Sequence, residues 1–168
     1  DRKGEIYFAL PGAGIIRISG DLKKTQILKT QRSVKDTNLH NTTIWYGPQG
    51  TPYLSFPANK VAKVFTTTLK GDLVNTLNAP SPTDDFDHPT VNSYFSGGGD
   101  FVPTDVEQLD GLFYVATGYS DLDFVLTARL FNFNPLMAAW NKLAFGGRGE
   151  GPGQFGTGHG ITVTSEGK

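Results

Sequence analysis

The chain has 168 residues, with 15 Lys and Arg against 16 Asp and Glu, a formal net charge of -1, 21 Gly, 10 Pro and no Cys. That length suits one domain with a sizeable core, and the even charge argues against a nucleic-acid surface or a polybasic membrane anchor. Without Cys there are no disulfides, thiol nucleophiles or thiolate metal sites, and the compartment stays open, with an extracellular or periplasmic one slightly favoured. Aromatic residues at 12% make the chain too apolar for disorder, yet no run approaches the roughly 18 apolar residues of a membrane-spanning helix. A start at Asp1 rather than Met is expected of a chain that is processed, excised or a slice of a longer protein.

In chain order, short alternating runs dominate. Asp1–Gly4 reads as a turn that leads into a strand at Glu5–Ala9, and Ile15–Ile18 and Thr25–Leu28 predict two more strands. Asn38–Tyr46, Thr51–Phe56, Ala62–Thr67 and Asp72–Leu77 predict a four-stranded antiparallel meander over residues 38–78, turning at Gly47–Gly50 and Lys70–Gly71. Residues 79–100, rich in Pro and Asp, read as a long loop of the kind that is usually functional. A further unit spans 101–145: Phe101–Leu109, an Asp110–Gly111 turn and Leu112–Ala116, followed by Asn134–Leu143, which predicts the chain's one helix with Pro135 in its first turn. Residues 146–157 form a Gly-rich linker, and Gly158–Lys168 supplies one more strand and its turn.

These units repeat one pattern at about 40 residues, the size of one blade of a β-propeller. The expected fold is therefore all-β: a single half-propeller domain of three four-stranded blades, two at 38–78 and 101–145 and one split between residues 1–30 and 158–168. Three blades cannot close a ring, since propellers need at least about four. A second copy with exchanged terminal strands would complete six, which makes a homodimer the expected partnership. The alternative is an arbitrary slice of a longer propeller.

Residues Phe145 to Val163, with Gly153-Gln-Phe155 and the turn at His159, resemble the NHL repeat of six-bladed β-propellers, where a Gly-rich linker ends in Gly-Gln-Phe and a Pro-His-Gly-like turn enters the innermost strand. The chain is also similar to the lyase domain of peptidylglycine α-amidating enzymes. The residues that carry this are Pro103-Thr-Asp-Val106, Gly118-Tyr119, Gly153-Gln-Phe155, His159 and Leu39-His40. The resemblance covers residues 38–77 and 101–168. It implies a zinc ion held in the channel by three His from alternate blades, of which His40 and His159 match two, and a catalytic Tyr matched by Tyr119. The implied reaction cleaves an α-hydroxyglycine N–C bond to an amide and glyoxylate. Thr117 stands where the lyase has Asp, and neither Arg2, Arg129 nor Arg148 sits in the motif of its carboxylate-binding Arg.

From the residues themselves, His40, Thr104 and His159 fall at the same place in three successive units, at the start of a first strand that would face the channel. Neutral imidazole is a common zinc ligand, and a catalytic zinc usually has three protein ligands and an open position. One chain offers two such His; a two-fold partner would raise them to four. The alternative is that both His cap strand starts by hydrogen bonding to a neighbouring turn. Tyr119 beside a metal could act as a base, or simply pack at the channel mouth. The cluster Asp84, Asp85, Asp87 and His88 has hard-cation ligands, although such a run is more often a solvated loop. Gly97–Gly99 lacks a following helix and the Walker pattern, so no phosphate loop is expected. Two classes stay open: a channel enzyme dependent on a metal such as zinc, and a non-catalytic propeller that binds a protein, peptide or small molecule.

Overall fold

The computed structural model describes residues 1–164. Among them, eleven strands form three antiparallel sheets, each a meander in which spatial order follows chain order. The first sheet contains β1 (Ile6–Leu10), β2 (Gly14–Ile18) and β3 (Thr25–Ile27). The central sheet contains β4 (Thr43–Tyr46), β5 (Pro52–Ala58), β6 (Lys63–Thr68) and β7 (Leu73–Asn78). The third contains β8 (Asp105–Leu109), β9 (Leu112–Ala116), β10 (Phe124–Phe133) and β11 (Leu136–Gly146). Two short helices, α1 (Arg32–Lys35) and α2 (Pro89–Ser96), lie in the connections between sheets. The Asp-Gly turn between β8 and β9 has both residues at positive φ, +50° and +76°, the backbone twist that a two-residue hairpin requires.

The central sheet is buried on both sides. Side chains alternate across a strand, so Leu54, Phe56 and Ala58 of β5 share one face with Phe65 of β6, and there they meet Ile15, Leu28 and Val34 from the N-terminal part of the chain. Tyr53, Trp45 and Val64 share the opposite face and meet Val106, Phe113 and Leu126 of the third sheet. At that second contact Trp45 stacks on Tyr53 at 4.7 Å and meets Phe113 edge-on at 5.4 Å. The indole nitrogen is satisfied in place: Nε1 donates to Ser55 Oγ at 2.9 Å, and that hydroxyl shares a proton with Thr66 Oγ1 at 2.9 Å.

Two expectations are corrected. Asn134–Leu143 is not a helix: the chain reverses through Asn132, at φ +51°, and Leu136–Gly146 runs back as β11. Its Ala, Leu and Met favour a helix, but intrinsic propensity is a small term, and the long strand β10 offers a ladder of backbone partners, interrupted by two bulges, and burial for Leu136 and Ala144. Residues 79–100 are not all loop, because Pro89 opens α2 and the pair Val91 and Phe95, one turn apart, buries against the third sheet. Gly97–Gly99 follow the C-terminal end of this helix, the end that repels an anion.

The C-terminal run Gly158–Thr164 forms no ladder and lies beside β8, held by Thr104 and Asp105. The rest of the expected split blade, residues 165–168, lies outside the described residues. The linker 146–157 closes on itself through a single bridge between Arg148 and Phe155.

Two outcomes follow from this packing. Phe113→Ala should cost about 3–5 kcal/mol in a denaturant titration, since a fully buried ring is lost from the contact between two sheets. Glu107, half-buried on β8, has its carboxyl pushed up, first by burial and then by the nearby charge of Asp105. The folded protein therefore holds this proton more tightly than the unfolded chain, and stability falls as pH rises through the ordinary Glu range. Glu107→Gln should melt higher than the parent at pH 7, and the gap should close below about pH 4.

Candidate functional site

The starts of the central and third sheets and of the C-terminal run meet at one end of the molecule. Leu39 bridges to Ala58, and the His40 amide donates to Pro57 O at 2.8 Å, which fixes His40 just ahead of β4. His40 Nδ1 lies 2.8 Å from Thr104 O. A carbonyl only accepts, so Nδ1 carries the proton and Nε2 keeps its lone pair free for a ligand. Thr104, fully buried ahead of β8, donates in turn through Oγ1 to Gly158 O at 2.7 Å. The starts of the central and third sheets and the C-terminal run are thus hydrogen-bonded in series.

Tyr119 projects from the turn between β9 and β10. Thr117 shapes that turn: its amide donates to Phe124 O at 2.9 Å, and its Oγ1 accepts from the Phe124 amide at 3.0 Å. Ser120 Oγ accepts from the Val102 amide at 2.9 Å, and Arg148 Nη2 donates to Ser120 O at 3.1 Å. Gly118 is required by a close approach, since a Cβ there would run into the Gly158 backbone. The turn is also tied to the connection after α2, because the Asp100 carboxylate accepts from both Tyr94 Oη and the Asp121 amide. Burial and the Asp100 carboxylate together push the Tyr94 phenol up to about 12, so it stays a donor.

The three residues singled out from the sequence, His40, Tyr119 and His159, come together here. Tyr119 Oη and His159 Nε2 are 2.6 Å apart. The ring centres lie 4.7 Å apart for His40 and His159, 5.5 Å for His40 and Tyr119, and 5.2 Å for Tyr119 and His159. His40 is half-buried, while Tyr119 and His159 are exposed, so the cluster opens to solvent.

Two imidazoles on one tetrahedral ion hold their ring centres roughly 5 Å apart, close to the His40–His159 spacing. Among the described residues no group of three or more His, Cys, Asp or Glu could hold a metal ion. The donors therefore fit a zinc ion only if Tyr119 or a further group serves as third ligand. The other acidic cluster is dispersed. Asp84 accepts from Ser81, Asp85 pairs with Lys142 at 3.4 Å, and His88 packs edge-on against Phe124.

The residues that hold the site were not legible in the sequence. Asp123, fully buried, accepts from the amides of Thr157 and Gly158, both at 2.6 Å on Oδ2. Asp105 Oδ2 accepts from the Ile161 amide at 2.9 Å. Two carboxylates thus dock the segment that carries His159, across sequence gaps that no local pattern announces. Arg148, assigned to the linker alone, also supports the Tyr119 turn.

No family model matches this chain, and no curated protein is significantly similar to it. The docking of the C-terminal run is directly testable. Asp123→Ala should speed hydrogen exchange at the Thr157 and Gly158 amides by at least about tenfold, since a hydrogen bond to a charged group contributes about 1.5–3 kcal/mol.

Proposed function

We propose that the three sheets are blades of an NHL-type β-propeller, that a two-fold partner with exchanged terminal strands completes a six-bladed ring, and that His40, Tyr119 and His159 bind a metal ion or small ligand at its channel. The observation that carries this reading is the convergence of these three side chains from three different parts of the chain: the start of the central sheet, the turn between β9 and β10, and the C-terminal run. In a propeller, successive blades present the starts of their first strands side by side around the axis, and the series of bonds from His40 through Thr104 to Gly158 supports that reading.

Zinc is the metal this donor set suits, and bound there it would supply a Lewis acid. Two features of the chain support such a role. The Thr104 carbonyl holds the His40 ring with Nε2 bare, the kind of support that orients a metal-binding imidazole. The Tyr119 hydroxyl sits within proton-transfer distance of His159 Nε2. The lyase reading, cleavage of an α-hydroxyglycine to an amide and glyoxylate, rests on the second of these. The alternative is a non-catalytic propeller that uses the same cluster to bind a protein, peptide or small molecule.

Calorimetric titration with zinc chloride tests the metal. The parent should bind it, and His40→Ala and His159→Ala should each weaken binding at least about tenfold while melting like the parent, because the ladders do not depend on an imidazole. No heat above background in the parent would retire the metal. With zinc present and α-hydroxyhippurate as substrate, glyoxylate release that disappears in Tyr119→Phe supports the lyase. Zinc binding without glyoxylate release favours the binding module.

A further inference from the structure

The two outermost sheet faces of the molecule are apolar, that of the first sheet largely open and that of the third partly covered by the C-terminal run. On the first sheet, Phe8 pairs with Ile16, which pairs with Ile27, so these three share the face opposite Ile15 and the core. Ile6 and Leu10 flank Phe8 on that face, and Phe8 is 39% and Ile27 62% exposed. On the third sheet, Val125 pairs with both Ala116 and Phe145 on the face turned away from Phe113. Phe145 is 40% exposed, and Leu143 is exposed near it on β11. Here Phe155 and Ile161 of the C-terminal run join Ala116, Val125 and Phe145 around an apolar cavity of about 270 Å³.

Charge separates the two ends as well. The first 35 residues contain eight Lys and Arg and three acids, whereas residues 105–146 of the third sheet contain five acids and two basic residues, Lys142 and Arg129, the latter exposed on the face of Val125. Lys23 and Lys24 stand exposed on the turn between β2 and β3, and Glu107 and Asp110 lie on and beside β8. A near-neutral total thus conceals a basic end and an acidic end.

We propose that these two faces are the two halves of one head-to-tail interface, and that the occupant of each is the opposite face of a second copy of this chain. The inference rests on the reading of the sheets as blades and names the surfaces that would join them. Within the chain, the first sheet stacks on the central sheet and the central sheet on the third. The same step taken once more sets a first sheet on the third sheet's outer face. Contact between two first sheets would oppose like charges, while first against third opposes unlike ones. Such a heterologous contact closes when two copies make it twice. It also completes the first sheet, which has three strands where the others have four.

Complementary variants test the pairing. Phe8→Glu and Phe145→Glu each change one exposed face and leave the two internal cores intact; Ile6→Glu and Leu143→Glu serve as second choices if either fails to fold by circular dichroism. By light scattering at 100 µM protein, the parent should run near twice 18.2 kDa and each variant near 18.2 kDa. An equimolar mixture of the two variants should return to the dimer mass, because it restores one wild-type face against another. A parent dimer that both variants retain, or a mixture that stays monomeric, overturns the head-to-tail pairing and leaves a ring completed in another way open to test. A monomeric parent overturns both this inference and the two-copy ring, while the zinc titration judges the channel site separately.

Discussion

The central sheet has no face that meets water, and the rest of the molecule is arranged around that fact. Leu54, Phe56 and Phe65 on one side and Trp45, Tyr53 and Val64 on the other each need an apolar partner. The first and third sheets supply those partners, so their orientation relative to the central sheet is set by side-chain packing. Trp45 ties the arrangement together, since it contributes ring area to the contact with Phe113 while its nitrogen is met inside the sheet by Ser55. A buried indole without that hydroxyl would leave a donor unpaired, at a cost of about 1–3 kcal/mol.

Once the sheets stack in this way, their first strands begin side by side. Thr104 then falls between His40 and Gly158 and binds both, through its carbonyl oxygen and its hydroxyl. The candidate site follows from this small series of bonds rather than from any one residue. Gly118 leaves room for the C-terminal run, Asp123 and Asp105 hold its amides, and the Thr117 turn presents the Tyr119 hydroxyl to His159. Most of the supporting groups are buried, whereas the Tyr119 and His159 rings stay open to solvent. A rigid support beneath an accessible cluster is the general condition for a binding site.

The long connection between the central and third sheets takes part in the same construction. Val91 and Phe95 anchor α2 in the core, and Asp100, just beyond it, binds both Tyr94 and the Asp121 amide near the Tyr119 turn. A segment whose composition suggests only a loop is therefore a brace. The charge pattern has a similar hidden order: basic residues gather toward the first sheet and acidic ones toward the third, which total composition cannot reveal.

By itself, the sequence determined the strands of the first two sheets and the start of the third, because alternation and Gly or Asp-Gly turns are local signals with a period of two. The strands read from Thr51, Ala62 and Asp72 onward lie within two residues of β5, β6 and β7. It also marked His40, Thr104 and His159, since recurrence at equal places in repeated units is visible in one dimension, while Tyr119 was marked only through the resemblance of its Gly-Tyr turn to a known family. It misread Asn134–Leu143, where helix-favouring residues became β11 only because β10 offered an open edge. Tertiary structure alone decided that His40, Tyr119 and His159 touch, that Asp123 would reach Thr157 and Gly158, and that Arg148 would support Ser120. Those contacts span tens of residues and arise from the stacking of sheets, and no local pattern of residues encodes a distance across a core.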